Sequence, residues 1–383
     1  MKELEFYVHI PFCIKKCAYC DFLSFAAGKE QKEAYIRALL KEISEWQPQE
    51  EYRAVSVFFG GGTPSVLPAD SIAVVLDAIR KKVCFAEDAE ITVECNPGTL
   101  TEEKLRCYRR SGVNRLSLGL QSAQNRELKT LGRIHTYEEF LESFSLARAA
   151  GFSNINVDLM SALPGQKMAD WENTLQKVVK LNPEHISAYS LIIEEGTPFY
   201  EKYAEDLRIR ESGEKCHLLP SEEEERQMYG RTAELLGEYG YYRYEISNYA
   251  KDRKECRHNI GYWIRTDYKG FGLGAASLLN NVRFSNSSDL QAYLNGNYQG
   301  EEEYLSKHAQ MEETMFLGLR LTEGVSKKNF QRAYGCAMEE VYGAVLEKLK
   351  QQDLLRIDGE QVALTERGMD VSNYVMAQFL LDN

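Results

Sequence analysis

Short runs rich in apolar and β-branched residues alternate with segments of helical periodicity through the first half of the chain. The strand-like runs occupy 4–10, 54–59, 90–95, 114–120, 154–160 and 185–192. The amphipathic segments between them occupy 30–46, 69–82, 101–112, 136–151 and 168–182. Several strands look apolar on both faces, which is typical of a parallel sheet with helices on both sides. Six strand–helix alternations in about 195 residues predict a parallel α/β sheet, either open or a partial barrel.

The pattern changes after about residue 200. An acidic helical stretch at 221–240 leads into a segment rich in Tyr and Asn at 241–277. The last 75 or so residues predict three helices and then two short strands, with Asp358-Gly359 as the hairpin signal. Helices followed by a small hairpin indicate an α+β, winged-helix-like module. We therefore divide the chain into a core at 1–235, a connecting segment at 236–300 and a C-terminal domain at 301–383.

Polar or conformationally permissive residues follow the predicted strands at five or six successive carboxyl ends. They are Cys13, the glycine-rich 60–65, Glu94, Gln121 with Ser122, Asp158, and the segment 192–198. Ligands of parallel α/β folds gather at this edge of the sheet. The chain is therefore expected to bind a ligand there.

Three cysteines in this set, Cys13, Cys17 and Cys20, follow the spacing C-x3-C-x2-C. A structural zinc site usually takes four ligands, so three thiolates leave such a metal one ligand short. They suit an iron–sulfur cubane that keeps one iron open for a small molecule. A zinc site completed by His9 or by a distant ligand is the alternative, as is a coincidental grouping. The other six of the nine cysteines are scattered and are expected to be small buried hydrophobic residues.

Two further features of this edge remain ambiguous when each is taken alone. The glycines of 60–62 could let the backbone approach a ligand closely, or could serve a tight turn. Glu94 and Asp158 could bind ribose hydroxyls or an amino group, or could be helix caps or members of ion pairs.

Composition narrows the class of protein. A net charge of −12 argues against a broad nucleic-acid or anionic-membrane surface. No run approaches eighteen apolar residues, and the acidic start lacks the pattern of a signal peptide. We expect a cytoplasmic protein with at most peripheral membrane contact. The winged-helix pattern alone suggests DNA binding, but residues 305–383 carry nine Lys and Arg against twelve Asp and Glu.

The motifs together carry a resemblance along nearly the whole chain. They are "YVHIPFCIKKCAYCDF" (7–22), "FFGGGTPS" (58–65), "VECNPG" (93–98), "RLSLGLQS" (115–122), "LGRIHT" (131–136) and "NVDLMSALPGQ" (156–166). The chain resembles the radical S-adenosylmethionine (SAM) superfamily, and more narrowly the group that contains oxygen-independent coproporphyrinogen III oxidase and a related haem chaperone. The resemblance implies a partial (β/α)6 TIM-like barrel of the radical SAM type, followed by the α+β winged-helix-like domain.

The resemblance also implies site residues and cofactors. Cys13, Cys17 and Cys20 would hold a [4Fe–4S] cluster whose open iron takes the amino and carboxylate groups of SAM. An electron donor such as flavodoxin or ferredoxin would reduce it. Positions that match SAM contacts in the family are Tyr7, Gly61 and Glu94. Further SAM positions, including those of a second molecule in the oxidase, match Tyr19, Gly62, Thr63, Gln121, Arg133 and Asp158.

Two departures separate the chain from the oxidase. Phe22 stands where the oxidase has an additional cysteine, and Cys13 leaves room for little more than one strand before the cluster loop. The haem-chaperone branch shares both features and carries an H-N-x-x-Y-W signature. That signature matches His258, Asn259, Tyr262 and Trp263. Taken alone, His258 would more simply be a packed, hydrogen-bonded histidine, and Cys256 is a second possible iron ligand.

The function we expect is that of a cytosolic haem chaperone without assigned catalytic residues. It would bind haem, keep a cluster with SAM, and deliver haem to acceptors such as respiratory enzymes, with no nucleic-acid partner. The alternative is oxidative decarboxylation of coproporphyrinogen III. A haem-degrading radical SAM methyltransferase and a DNA-binding regulator are less favoured.

Overall fold

The computed structural model describes residues 1–212, 214 and 216–381. The first half runs through β1 (Lys2–Ile10), β2 (Phe12–Cys13), β3 (Phe25–Ala26), α1 (Lys29–Glu45), β4 (Tyr52–Gly61), a 3-10 turn (Pro64–Val66), α2 (Ser71–Arg80), β5 (Cys84–Cys95), α3 (Glu102–Arg110), β6 (Arg115–Gln121), α4 (Asn125–Thr130), α5 (Tyr137–Ala149), β7 (Ile155–Ser161), α6 (Met168–Lys180) and β8 (His185–Ser190). The middle contains α7 (Pro198–Glu211), α8 (Glu222–Glu238), β9 (Tyr242–Arg243), β10 (Asn248–Ala250), α9 (Arg257–Trp263), β11 (Tyr268–Phe271), β12 (Ala276–Leu279), β13 (Val282–Asn286), α10 (Leu290–Leu294) and β14 (Gln299–Tyr304). The last part contains α11 (Lys307–Gly318), β15 (Val325–Ser326), α12 (Lys327–Tyr334), α13 (Met338–Gln351), β16 (Leu355–Asp358), β17 (Gln361–Leu364), α14 (Glu366–Asp370) and α15 (Ser372–Ala377).

The six predicted strands are all present as β1, β4, β5, β6, β7 and β8. They lie side by side in that order, and every neighbouring pair is parallel. Each connection therefore crosses over through helical segments to the next strand along, as in a (β/α) barrel. Side chains from all six strands line one interior cavity, which shows that the sheet curves into a partial barrel.

The two faces of these strands differ, so the expectation that several are apolar on both faces is wrong. In β6, for example, Leu116, Leu118 and Leu120 belong to the hydrophobic core under the helices. The alternate positions Arg115 and Ser117 point into the barrel, where they line the cavity. The described helices that follow the strands cover the outer face of the sheet. The inner face surrounds a cavity lined largely by polar side chains, which α9 closes at one end.

The sheet continues beyond these six strands on both sides. At the β8 edge, β10 and β9 add antiparallel strands. At the β1 edge, β11 pairs in parallel, and β12, β13 and β14 follow as an antiparallel meander. The stretch predicted as a connecting segment thus supplies strands to the same sheet, as well as the short helix α9.

The C-terminal domain has its own hydrophobic core, built from α11, α12, α13 and the small sheet β15–β17–β16. The predicted hairpin is confirmed, and Gly359 in its turn has φ 54°. Three helices followed by this hairpin make the predicted winged-helix-like arrangement. Within the described residues, no helix combines the length and apolar character that crossing a bilayer requires.

All nine cysteines are free thiols, but they differ in burial. Cys95, Cys216 and Cys256 are buried as predicted for the scattered set. Cys84 is exposed, and Cys107 and Cys336 are partly exposed, so the prediction is wrong for these three.

Candidate cofactor site

The loop that carries the three grouped cysteines is fixed to the barrel rim by backbone hydrogen bonds. Its two ends pair as β2 and β3, with Phe12 opposite Phe25. At its centre, the Ala18 amide donates to the Leu131 carbonyl oxygen at 3.1 Å, and the Ala18 carbonyl accepts from the Phe199 amide at 3.0 Å. The three thiols are all partly exposed. The loop thus presents three sulfur donors on a backbone that the tertiary structure holds in place.

Polar side chains connect two of these sulfurs. The Thr63 hydroxyl lies 3.7 Å from the Cys13 sulfur, and Arg133 Nη1 lies 3.8 Å from the Cys17 sulfur. Asn96 joins the two, because its amide donates to the Thr63 hydroxyl at 2.9 Å and its oxygen accepts from Arg133 Nη2 at 2.9 Å. Arg133 Nε is buried and has no hydrogen-bond partner in the part of the chain that the structure describes. These donors suit negatively charged sulfur.

The donor set fits an iron–sulfur cluster. No three His, Cys, Asp or Glu side chains among the described residues are grouped closely enough to hold a single metal ion. A zinc ion would need its sulfurs within about 4 Å of one another, given a zinc–sulfur bond of about 2.3 Å. In a cubane each thiolate binds a different iron, so that restriction does not apply. His9 lies nearby, but both of its ring nitrogens are already occupied, one by Tyr7 at 3.0 Å and the other by the Leu23 carbonyl oxygen at 2.9 Å.

Glu94 lies at the end of β5, next to the glycine-rich turn. Its carboxylate accepts from the Gly61 amide at 3.2 Å. Burial, together with the nearby charge of Asp158, raises the pKa of Glu94 to about 8. At neutral pH this carboxyl is therefore mostly protonated. An ammonium group of a ligand could displace the proton, and a ligand hydroxyl could form a hydrogen bond with the carboxyl.

The glycines of this turn have a packing role of their own. A Cβ at Gly61, which has φ 111°, would lie 2.5 Å from the His9 ring. A Cβ at Gly62 would lie 2.7 Å from the Phe12 carbonyl oxygen. Close packing between this turn and the cluster loop therefore accounts for both glycines without a ligand.

Gln121 and Tyr19 lie on the same rim. Gln121 ends β6 with φ 69°, a left-handed conformation, and its side chain accepts from the Tyr189 hydroxyl at 3.1 Å. Tyr19 packs against Phe199, with ring centroids 6.3 Å apart. The structure thus places Gln121 and Tyr19 on the same rim as the cluster loop and the glycine-rich turn.

Asp158 faces the barrel interior below this rim. Its two oxygens accept from Ser117 at 2.9 Å and from Asn156 at 2.7 Å. Burial raises the pKa of Asp158, and the hydrogen bonds from Ser117 and Asn156 lower it in part. The aspartate is thus a positioned member of a polar network and does not cap a helix.

An interior cavity of about 200 Å³ joins the rim residues to the second predicted region. Each core strand contributes to it, through Tyr7, Phe58, Glu94, Arg115, Asp158 and Ser187 among others. Helix α9 closes the opposite side with His258, Asn259 and Tyr262. Two sets of residues that are far apart in sequence therefore share one space.

His258 is buried at the floor of this cavity with both ring nitrogens occupied. Nδ1 lies 2.8 Å from the Ser56 hydroxyl, and Nε2 lies 3.1 Å from the Tyr262 hydroxyl. The ring stacks on Phe58 with centroids 5.0 Å apart. Burial lowers the pKa of His258 to about 3, so the ring is neutral. In this arrangement neither nitrogen is open to an iron atom.

Trp263, the last residue of the motif, faces away from the cavity and toward the C-terminal domain. The Arg320 guanidinium lies over its ring, 4.2 Å from the centroid. Cys256 is buried and donates to a Glu90 oxygen at 3.6 Å, so it is engaged elsewhere. The motif is therefore split between the cavity, where three members lie, and the domain boundary, where Trp263 lies.

Sequence reasoning missed several residues of the site. Asn96 directly follows a predicted strand end, which was an available signal. Arg115, Ser117 and Asn156 lie within strands, and only the strand register turns them into the barrel. Residues of this kind carry no local signature.

Comparisons with known proteins agree with this architecture. The model of the radical SAM superfamily matches residues 7–178, and that of the HemN C-terminal domain matches residues 305–371. The chain is 38% identical to the haem chaperone HemW of Lactococcus lactis, over 98% of this chain and 97% of the relative. It is 33% identical to haem chaperone HemW of Escherichia coli, over 100% and 99% of the two chains. It is also 30% identical to the mitochondrial radical S-adenosyl methionine domain-containing protein 1 of Danio rerio, over 99% and 87%.

Among solved structures, coproporphyrinogen III oxidase (HemN) from Escherichia coli superposes with a TM-score of 0.83. The alignment covers 99% of this chain and 90% of that chain, at 23% sequence identity. This likeness establishes the fold, the partial barrel with its C-terminal domain.

Proposed function

The chain belongs to the HemW family of the radical SAM superfamily, as its motifs predicted, and we propose that it binds haem and passes it to acceptor proteins. Membership of the superfamily implies a [4Fe–4S] cluster and SAM. The observation that carries the proposal is the full-length likeness to relatives named haem chaperones, at 33–38% identity over nearly the whole of both chains. We further propose respiratory enzymes as acceptors and a flavodoxin or ferredoxin as reductant.

In this proposal Cys13, Cys17 and Cys20 hold the cluster, and Thr63 and Arg133 donate hydrogen bonds to its sulfur ligands. When bound, the cluster supplies one-electron chemistry toward SAM and an open iron for the SAM amino and carboxylate groups. The residues proposed to position SAM are Tyr7, Tyr19, Gly61, Gly62, Thr63, Glu94, Gln121, Arg133 and Asp158. What supports this proposal is that these residues lie on the rim or, for Tyr7, Glu94 and Asp158, line the cavity inside it. In addition, the Glu94 carboxyl can accept from an ammonium group or a ribose hydroxyl.

We propose that helix α9 takes part in holding haem, with Asn259 and Tyr262 on the side of the cavity. His258 supports this helix through Ser56 and Tyr262, and its occupied nitrogens argue against a role as axial ligand. Changing Tyr262 to Phe should weaken haem retention and leave the fold intact, since only a hydroxyl is lost. Changing Trp263 to Phe is the matched variant at the domain boundary. Unaltered haem spectra in both variants would place the haem elsewhere.

Haem transfer is the direct test of the proposed function. The full chain is titrated with haem, with and without its reconstituted cluster, and then mixed with a haem-free acceptor protein. The expected result is saturable haem binding followed by loss of the haem spectrum from the chain and its appearance on the acceptor. An acceptor that already carries haem is the control. Haem that stays on the chain under all conditions would contradict a carrier role.

The oxidase reaction is the second candidate, because the fold is that of HemN. Against it, Phe22 occupies the position of an additional oxidase cysteine, and its side chain is 69% exposed. The test is anaerobic incubation of the reconstituted protein with coproporphyrinogen III, SAM and reductant. Substantial formation of protoporphyrinogen IX would overturn the chaperone assignment.

A further inference from the structure

Arg115 carries a buried guanidinium that has no hydrogen-bond or ion-pair partner among the described residues. Only 2% of the surface of Arg115 is exposed to solvent. Its Nε is buried without a hydrogen-bond partner, and no side-chain hydrogen bond or ion pair joins Arg115 to any other described residue. Burying an unpaired charge is costly, and proteins normally give such a group a partner. Arg115 is also one of the residues that line the interior cavity.

The carboxylates of Glu90 and Asp158, whose charges act on Arg115, already accept hydrogen bonds from other donors. Glu90 accepts from the Arg257 and His258 amides at the start of α9, at 3.2 and 3.3 Å. Asp158 accepts from Ser117 and Asn156. Burial acts to lower the pKa of Arg115, whereas the charges of Glu90 and Asp158, with others, raise it through space. Neither carboxylate lies within 4 Å of the guanidinium, the limit for an ion pair. The donors of Arg115 therefore remain available to a ligand.

We infer that the cavity is a binding site for the carboxylate of a short aliphatic chain, with Arg115 as its anchor. Arg presents a planar fork of donors that matches a carboxylate with two parallel hydrogen bonds. Around it, Asn259 offers a further polar side chain to the same space, and Phe58 and Tyr7 offer apolar surface for an alkyl chain. The Ser117 and Ser187 hydroxyls also line the cavity, but they already donate to Asp158 and Asn156. A volume of about 200 Å³ admits a group of this size but not a whole porphyrin.

Two sources share this chemistry. One is a haem propionate, which would enter the cavity while the ring stays outside; this source rests on the proposed function. The other is a free amino acid, whose carboxylate would bind Arg115 and whose ammonium group would face Glu94 and Asp158. The site itself depends on neither source.

The experiment compares the full-length wild type with Arg115→Gln, Arg115→Lys and Arg115→Met. Probes are haem, its dimethyl ester, in which both propionates are blocked, and methionine and propionate as small carboxylates. Arg265→Gln is the control, because Arg265 is a partly buried arginine that is paired with Glu313 at 3.0 Å and does not line the cavity. Affinity is measured by absorbance titration for haem, and by the shift in Tm for the small carboxylates.

If the source is haem, wild type binds haem about tenfold to a hundredfold more tightly than the ester, the range for one charged hydrogen-bonded contact. Arg115→Gln then loses that preference, Arg115→Lys keeps part of it, and Arg265→Gln keeps all of it. If the source is an amino acid, methionine raises the Tm of wild type but not of Arg115→Gln, while haem and ester bind alike. Failure of haem to bind at all would refute the proposed function. The measurements with methionine and propionate would still show whether the cavity binds a carboxylate.

The ligand-free protein gives an independent readout. Arg115→Met should raise the Tm without ligand, because an unpaired buried charge is replaced by an apolar side chain of similar length. A purely structural arginine would give the opposite, a lower Tm. If the Tm falls and no carboxylate probe distinguishes wild type from Arg115→Gln, the inference is wrong.

Discussion

The two ends of the barrel interior are built in different ways. The rim is formed by loops at the carboxyl ends of the strands, with partly exposed thiols and side chains joined by hydrogen bonds to backbone. The floor is formed by α9 against the middle of the strands, and it gathers buried ionisable groups, among them Glu5, Glu90, Arg115 and His258. At the rim, the chemistry is carried by short contiguous motifs. At the floor, each group comes from a different part of the chain.

This difference has an energetic consequence. Partly exposed rim residues can be changed with little loss of stability, so substitutions there should mainly affect cofactor binding. The floor groups are shielded from water, and burial raises the pKa of Glu5 to about 9 while lowering that of His258 to about 3. Substitutions at the floor should therefore act first on stability.

The largest expected effect is at the rim. Changing Cys17 to Ser removes one of the three proposed sulfur ligands, and we expect loss of nearly all iron and sulfide together with the brown absorbance at about 400 nm. Cys84→Ser is the control, since Cys84 is an exposed thiol far from the loop in sequence. Metal analysis after anaerobic reconstitution is the measurement. Unchanged iron in Cys17→Ser would show that this thiol is not a ligand, while the thermal stability of the protein without cluster should barely change.

At the floor, Glu5→Gln should alter how stability depends on pH. The folded protein keeps the Glu5 proton to about pH 9, whereas a carboxyl in the unfolded chain loses it near 4.5. The folded state thus binds more protons in this interval, so stability is fully present below about pH 4.5 and falls as pH rises toward 9. Glutamine mimics the protonated form, so the variant should lack this decline in the free energy of unfolding. For a strongly raised pKa the decline is on the order of a few kcal/mol.

Chemical denaturation at several pH values measures this slope, with Glu3→Gln on the same strand as the control at an exposed position. Parallel curves for wild type and Glu5→Gln between pH 5 and 9 would mean that Glu5 is ionised in the folded protein.

A third test concerns the packing of α9 on the floor. A Cβ at Gly261 would lie 2.2 Å from the Glu5 carboxyl, so Gly261→Ala should destabilise the protein by about 1–3 kcal/mol through overpacking. At Gly343 in α13 no atom of a described residue lies within 4 Å of an added Cβ, and Gly343→Ala should instead stabilise the protein by about 0.5–1 kcal/mol. Denaturant midpoints compare the two. Equal shifts would contradict the close approach of α9 to β1.

The smallest effect is expected where the floor helix meets the C-terminal domain. Arg320→Lys keeps the positive charge near Glu245 but loses the flat guanidinium over Trp263. We expect the free energy of unfolding to fall by about 0.5–1 kcal/mol, the size of one cation–π contact, and the tryptophan fluorescence to change. The exposed Arg367→Lys should change neither. An Arg320→Lys variant with unchanged fluorescence would show that the stacking does not persist in solution.

Much of the fold followed from periodicity, but one inference about it did not hold. All six strands and the C-terminal hairpin were predicted, because apolar runs and turn residues are local signals. The faces of the strands were misjudged: Glu5, Ser56 and Glu90 were read within apolar runs, whereas in the barrel they point inward and meet α9. Whether a polar position within a strand faces solvent, a helix or a cavity depends on how the sheet curves.

The site divides in the same way. The cysteine spacing, the glycine-rich turn and the H-N-x-x-Y-W signature could be found in the sequence, since each lies within a few residues. Their roles as cofactor contacts remain predictions. The sequence did not reveal that Asn96 joins Thr63 and Arg133, the two residues next to the cysteine sulfurs. It also did not reveal that both ring nitrogens of His258 are occupied, or that Trp263 faces the C-terminal domain.

The sequence by itself determined the family, the order of strands and helices, and the three thiols near the start of the chain, because these depend on spacing along the backbone. Only the tertiary structure decided that Arg115 has no side-chain partner among the described residues and lies beside a cavity shared by the rim and α9. The physical reason is that the free energy of a buried charge depends on the groups that surround it in space. Those groups come from β5, β6, β7 and α9, and folding alone brings them together.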